Sequence, residues 1–154
     1  DEIERRGAKP VSFEALLAQA DFVSLHCPRD KSTLKMMNAD TFARMKKGSF
    51  FITTARGGIH DEAALVQALL SGHLAGAGID VWDQEPPPLD HPLLAMDQVL
   101  ASFHMAGVTH EARRNVARIS AEQIVGLLEG ERPPRLINPE VWPDFERRRT
   151  RILD

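Results

Sequence analysis

The chain has 154 residues and a mass of 17.1 kDa, about one domain's worth on a rough prior of 100 to 200 residues per domain. Its 19 basic and 22 acidic residues nearly cancel, which argues against a protein that mainly neutralises phosphates; 43% hydrophobic and 27% charged residues exclude wholesale disorder. No apolar run approaches the roughly 18 to 20 residues of a membrane span, residues 1–9 lack a signal-peptide core, and a lone cysteine, Cys27, excludes an internal disulfide. A cytoplasmic domain is expected. In chain order, Ser12 caps a helix over Phe13–Ala20, with Leu16, Leu17 and Ala20 on one face. Phe22–His26 reads as a strand stopped by Pro28, and Asn38 or Asp40 opens a short helix that Gly48 ends. The apolar run Phe50-Phe51-Ile52 inside Ser49–Thr54 predicts a strand buried on both faces. Asp61 caps a helix over Glu62–Ser71 with Gly72 just past its end. Ala75–Trp82 is a further buried strand, whose Gly76 and Gly78 are expected to let a helix pack closely. The proline turn Glu85-Pro86-Pro87-Pro88, a strand over Gln98–Ser102 and a long helix from Thr109 to Glu129, stopped by Gly130, follow. The tail from Arg132, with its run Arg147-Arg148-Arg149, reads as solvated and peripheral. Strand and helix alternate throughout, which predicts an α/β, doubly wound parallel sheet.

In open parallel sheets, ligands bind beyond the carboxyl ends of the strands. The polar residues there are His26-Cys27, the segment Thr54-Ala55-Arg56-Gly57-Gly58, Asp80 with Glu85 beyond it, and His104. An arginine fork, a carboxylate and an imidazole from separate strand ends suit a small acid substrate. Singly, each has a bland reading: a solvated loop arginine, a surface turn glutamate, a structural histidine. Their joint placement favours chemistry. The six histidines show no metal-ligand spacing, nothing beside Cys27 marks it as a nucleophile, and nucleic-acid and membrane partners are not expected.

Assembled in order, these residues resemble the D-isomer-specific 2-hydroxyacid dehydrogenases. The matching stretches are Ala20-Asp21-Phe22-Val23-Ser24-Leu25-His26-Cys27-Pro28, Met45-Lys46-Lys47-Gly48 and Thr54-Ala55-Arg56-Gly57-Gly58-Ile59-His60-Asp61-Glu62. They continue through Gly76-Ala77-Gly78-Ile79-Asp80-Val81-Trp82, Glu85-Pro86-Pro87, His91-Pro92-Leu93 and His104-Met105-Ala106-Gly107-Val108-Thr109. The resemblance implies a Rossmann-like NAD-binding domain and hydride transfer between a nicotinamide cofactor, NAD or NADP, and a small D-2-hydroxy acid or 2-keto acid. It implies Arg56 as the substrate-binding arginine, His104 as the acid/base and Glu85 as its carboxylate partner. It places Cys27, Pro28, Thr33, Thr54, Ala55, Arg56, Asp80, His104 and Gly107 against the cofactor, with Asp80 accepting from the nicotinamide carboxamide, and it implies a homodimer. A non-catalytic NAD-sensing or interaction module on the same fold, or a structural half-domain, is the alternative.

Three departures stand out. Ser102-Phe103 replaces the family's usual Thr-Pro, removing a ring that would stiffen the approach to His104. His60 stands where a small apolar residue is usual. No GxGxxG loop precedes the first strand, so residues 1–108 are expected to be the second half of the nucleotide domain. Residues 109–154 are then the long helix and tail returning to a substrate domain, and the chain alone is expected to be inactive.

Overall fold

Four strands lie parallel and in chain order in the computed structural model, which describes residues 2–153. They are β1 (Phe22–Leu25), β2 (Phe50–Thr53), β3 (Gly76–Ile79) and β4 (Val99–Ala101). The helices of the first of two compact units, residues 1–106, are α1 (Glu2–Arg5), α2 (Phe13–Gln19), α3 (Ala39–Arg44) and α4 (Glu62–Leu70). Each start after α1 is set locally. Ser12 Oγ accepts from the Ala15 amide, Asn38 and Thr41 form a reciprocal capping box, and Asp61 accepts from the Ala64 amide. Gly72, at φ +67°, supplies the left-handed step after α4.

Registered neighbours show which face of the sheet is buried. Val23, Phe51 and Ala77 align, as do Leu25, Thr53 and Ile79, and all six are buried. All but Thr53 join Leu17 of α2, Phe42 of α3 and Leu65 and Leu69 of α4 in one hydrophobic core. Truncating a fully buried member such as Leu65 to alanine costs about 2–5 kcal/mol. The opposite face is different. Phe22 is 65% exposed, Phe50 39% and Leu100 81%, and the rings of Phe22 and Phe50 stack 5.1 Å apart. The expectation that Phe50-Phe51-Ile52 is buried on both sides is therefore corrected: only Phe51 enters the core. Stacking on the neighbouring strand takes Phe50 partly out of water without a covering layer.

The role expected for Gly76 is corrected too. A Cβ there would lie 2.8 Å from the Gln98 carbonyl oxygen and 3.1 Å from the Phe50 ring, so the close neighbours are the lead-in to β4 and an aromatic ring, not a helix. His60 is fully buried. Its ring lies 5.7 Å from that of Phe51, and among the described residues neither ring nitrogen has a hydrogen-bond partner. Burial holds His60 below the ordinary histidine range, so it packs as a neutral aromatic filler.

The second unit, residues 107–154, contains α5 (His110–Glu129) and α6 (Trp142–Leu153). Thr109 caps α5 and Gly130, at φ +93°, closes it, as the sequence predicts. The tail ends in a helix, and Arg147 and Arg148 are exposed, in keeping with a solvated run. Its basic run lies on α6, where Trp142 and Phe145 stack at 5.2 Å and Arg149 donates to the Leu128 carbonyl of α5. Among the described residues no helix is long and apolar enough to cross a membrane.

Candidate active site

The sheet register carries the candidate residues to one edge. Leu25, Thr53, Ile79 and Ala101 form one row across the four strands. Cys27 follows that row by two residues, Arg56 and His104 by three, and Asp80 by one.

Asp80 organises the loop bearing His104. It is 4% exposed. Its Oδ1 accepts from the Ser102 hydroxyl at 2.6 Å and the Met105 amide at 2.7 Å, and its Oδ2 accepts from the Ala106 amide at 2.9 Å. Its backbone carbonyl accepts the His104 N–H at 2.6 Å. Burial alone would push this carboxyl up, but the Ser102, Ala106 and Met105 donors outweigh it and hold Asp80 below the ordinary aspartate range. The same bonds hold His104 at φ +55°, a left-handed conformation that costs a non-glycine residue of order 1 kcal/mol. Ser102 supplies a hydroxyl where the resembled family has threonine. The bonds to Asp80 hold the loop around position 103, and Phe103 itself is 54% exposed.

Beyond β3, Glu85 meets this loop. His104 Nδ1 lies 2.7 Å from Glu85 Oε2, and Glu85 Oε1 accepts from the Trp82 amide at 3.1 Å. Trp82 is 2% exposed, and its indole donates to the Ser102 carbonyl at 2.8 Å, tying the two loops together. The hydrogen bond from His104, and then that from the Trp82 amide, holds Glu85 below the usual glutamate range. An ionised carboxylate only accepts, so Nδ1 carries the proton and Nε2 is left as the atom that takes or gives one.

A cleft of about 610 Å³ opens beyond β1 and β2, lined by His26, Cys27, Pro28, Arg29, Thr54, Ala55 and Arg56. Arg56 is exposed and folds back so that Nη1 donates to the Ala55 carbonyl at 2.6 Å. Thr33 is not among the lining residues. Its hydroxyl donates to the Pro28 carbonyl at 2.8 Å and accepts from the Asp30 amide at 2.9 Å, building the turn that follows Pro28. Gly107 belongs to the second unit. The structure thus brings Asp80, Glu85 and His104 into one bonded group, and gathers Cys27, Pro28, Thr54, Ala55 and Arg56 around the cleft. The donor set fits a nicotinamide dinucleotide: two guanidinium groups, a hydroxyl and small apolar walls at the carboxyl edge of a parallel sheet. Asp80 Oδ2, with one hydrogen bond among the described residues, retains room for another donor.

Several residues in this region were not singled out from sequence. Glu62 Oε1 accepts from the Asp83 amide at 2.7 Å and Glu62 Oε2 lies 3.1 Å from His91 Nε2. Asp83 Oδ1 accepts from the Gly58 amide at 2.6 Å. Glu62 could be read only as a first-turn acid on α4, and Asp83 as a turn residue; nothing local pairs them.

Residues 1–106 match the family model described as D-isomer specific 2-hydroxyacid dehydrogenase, NAD binding domain, and the chain belongs to that family. A glyoxylate reductase from Thermofilum pendens is 44% identical over 129 residues, 84% of this chain and 38% of the relative. A D-lactate dehydrogenase from Lactobacillus jensenii, solved with NAD+, superimposes with a TM-score of 0.79 at 34% identity, over 82% of this chain and 42% of that one. A D-isomer specific 2-hydroxyacid dehydrogenase from Xanthobacter autotrophicus Py2, solved with NADPH and MES, gives 0.71 at 37% identity, over 84% and 53%. The chain spans about two-fifths of the length of the glyoxylate reductase it matches.

Proposed function

We propose that this chain carries the cofactor-binding and proton-transfer part of an oxidoreductase that interconverts a small 2-oxo acid and the D-2-hydroxy acid. When bound, NAD or NADP supplies or takes the hydride at the substrate's C2. The observation that carries this reading is the His104–Glu85 pair at 2.7 Å, anchored from behind by the Trp82 amide. In oxidation His104 Nε2 takes the substrate hydroxyl proton, and the adjacent carboxylate balances the imidazolium that forms; in reduction the same atom returns it. Arg56, at the cleft beside Thr54 and Ala55, holds the substrate carboxylate in its planar fork. Cys27, Pro28, Thr54 and Ala55 line the path of the dinucleotide, with Asp80 nearer the nicotinamide, and Thr33 supports the Pro28 turn.

A cytoplasmic homodimer completes the proposal. It is supported by the single free cysteine, which suits a reducing compartment, and by the exposed apolar side chains Phe22, Phe50 and Leu100, which suit further protein contacts. The test is nicotinamide absorbance with the full-length protein and a panel of 2-oxo acids. Reduction lost on His104→Gln supports the reading. Cofactor binding without turnover of any 2-oxo acid overturns it in favour of a binding module.

A further inference from the structure

Turnover of a 2-oxo acid needs two groups on different loops at a fixed separation. Arg56 follows β2 and holds one end of the substrate, while Glu85, with His104, follows β3 and serves the other. Misplacement by about 1 Å can cost 10²-fold in rate, so whatever joins these loops bears on catalysis. Their backbones touch directly. A Cβ on Gly57 would lie 1.9 Å from the Trp82 carbonyl oxygen, so residue 57 must be glycine for the loops to approach this closely. One residue on, the Gly58 amide donates to Asp83 Oδ1 at 2.6 Å. The Asp83 amide in turn donates to Glu62 Oε1 at 2.7 Å. Glu62 and His91, 3.1 Å apart, are each only 14% exposed, and the His91 ring packs 5.3 Å from that of Trp82. The Leu93 amide donates to His91 Nδ1 at 3.3 Å. This leaves Nε2 as the donor to Glu62.

We propose that Asp83 is a positioning residue: its carboxylate latches the arginine-bearing loop to the loop of Glu85, with Glu62 and His91 holding the latch from behind. The role rests on the dehydrogenase reading above. Asp83 touches neither His104 nor Glu85 in a hydrogen bond, so the latch sets where Arg56 stands and leaves proton transfer intact. Loss of the latch therefore weakens the hold on the substrate carboxylate and appears in KM for the 2-oxo acid. A merely structural role would lower the active fraction, reducing kcat with KM unmoved.

The experiment is steady-state kinetics on the full-length enzyme with Asp83→Ala, Asp83→Ser and Asp83→Asn. We expect the Ala and Ser variants to raise KM for the 2-oxo acid about 10-fold or more, within the reach of such misplacement, with the pH profile of kcat unchanged. Asp83→Asn keeps an oxygen that accepts the Gly58 amide and is expected to restore KM to within about threefold. An unmoved KM in the Ala and Ser variants, or an Asn variant as impaired as Ala, overturns the latch while an active wild type leaves the dehydrogenase reading standing. A wild-type enzyme that turns over no 2-oxo acid overturns both.

Discussion

Glu85 uses its two carboxylate oxygens for two different partners: Oε2 faces His104 Nδ1 at 2.7 Å, and Oε1 receives the Trp82 amide at 3.1 Å. One oxygen orients the imidazole, the other anchors the carboxylate to the backbone just past β3. Both oxygens accept, so an amide at this position can satisfy only one of the two donors.

Glu85→Gln removes the charge beside the imidazole and leaves one acceptor oxygen for two donors, the His104 Nδ1–H and the Trp82 amide. The expected result is a fall in kcat of about tenfold or more for both 2-hydroxy acid oxidation and 2-oxo acid reduction. Steady-state kinetics on the full-length enzyme check this; an unchanged kcat would reduce Glu85 to a turn residue.

Arg56→Lys preserves charge at the cleft and loses the fork. The expected loss in kcat/KM for the 2-oxo acid is at least about 2 kcal/mol, with cofactor affinity, measured by calorimetry, little changed. Near-normal kinetics would remove Arg56 from the substrate's carboxylate.

Asp80→Asn presents an NH₂ where Asp80 now receives two amide donors and a hydroxyl. The loss at neutral pH is about 1–3 kcal/mol. Because folding lowers the Asp80 pKa, its contribution is present above the ordinary aspartate range and disappears as pH falls through the lowered folded value. Denaturant melts between about pH 5 and 2 are expected to show a flatter acid limb in the variant than in the wild type.

His60→Leu fills a fully buried site with a side chain that needs no hydrogen bond. The gain is about 1 kcal/mol. Burial lowers the folded pKa of His60, against the opposing pull of Glu62, Asp83 and Asp61. The unfolded chain then binds a proton that the folded one refuses, and wild-type stability declines below about pH 6.5. Melts at pH 7.5 and 5.5 are expected to show a smaller drop in His60→Leu; equal drops would mean that His60 is not the proton-sensitive group.

The parts legible in sequence are those written locally. Ser12, Asn38, Asp61 and Thr109 each cap a helix with their own side chain, a signal contained within a few residues. Arg56, Glu85 and His104 were legible because strand ends concentrate chemistry at one edge of a parallel sheet. What escaped depends on distant partners. The bonds from Ser102, Met105 and Ala106 to the Asp80 carboxylate come from beyond β4, so its second role in holding that loop is invisible locally. Phe50 looks like core until Phe22 is seen stacked on the same open face. No local pattern distinguishes α6 from a solvated tail, because its Arg149 contact lies 21 residues back on α5.

The φ of +55° at His104 also bears on how this site tolerates sequence change. Histidine, asparagine and aspartate are among the non-glycine residues that visit this backbone region most readily, and glycine enters it freely, whereas β-branched residues are strongly disfavoured there. Drift at position 104 thus has an open path to asparagine or glycine, which keep the loop over Asp80 while discarding the imidazole. Chemistry and fold are separable at this residue: a descendant that stops turning over substrate can still present the same cleft, whereas valine or isoleucine at 104 would strain the loop as well as remove the base.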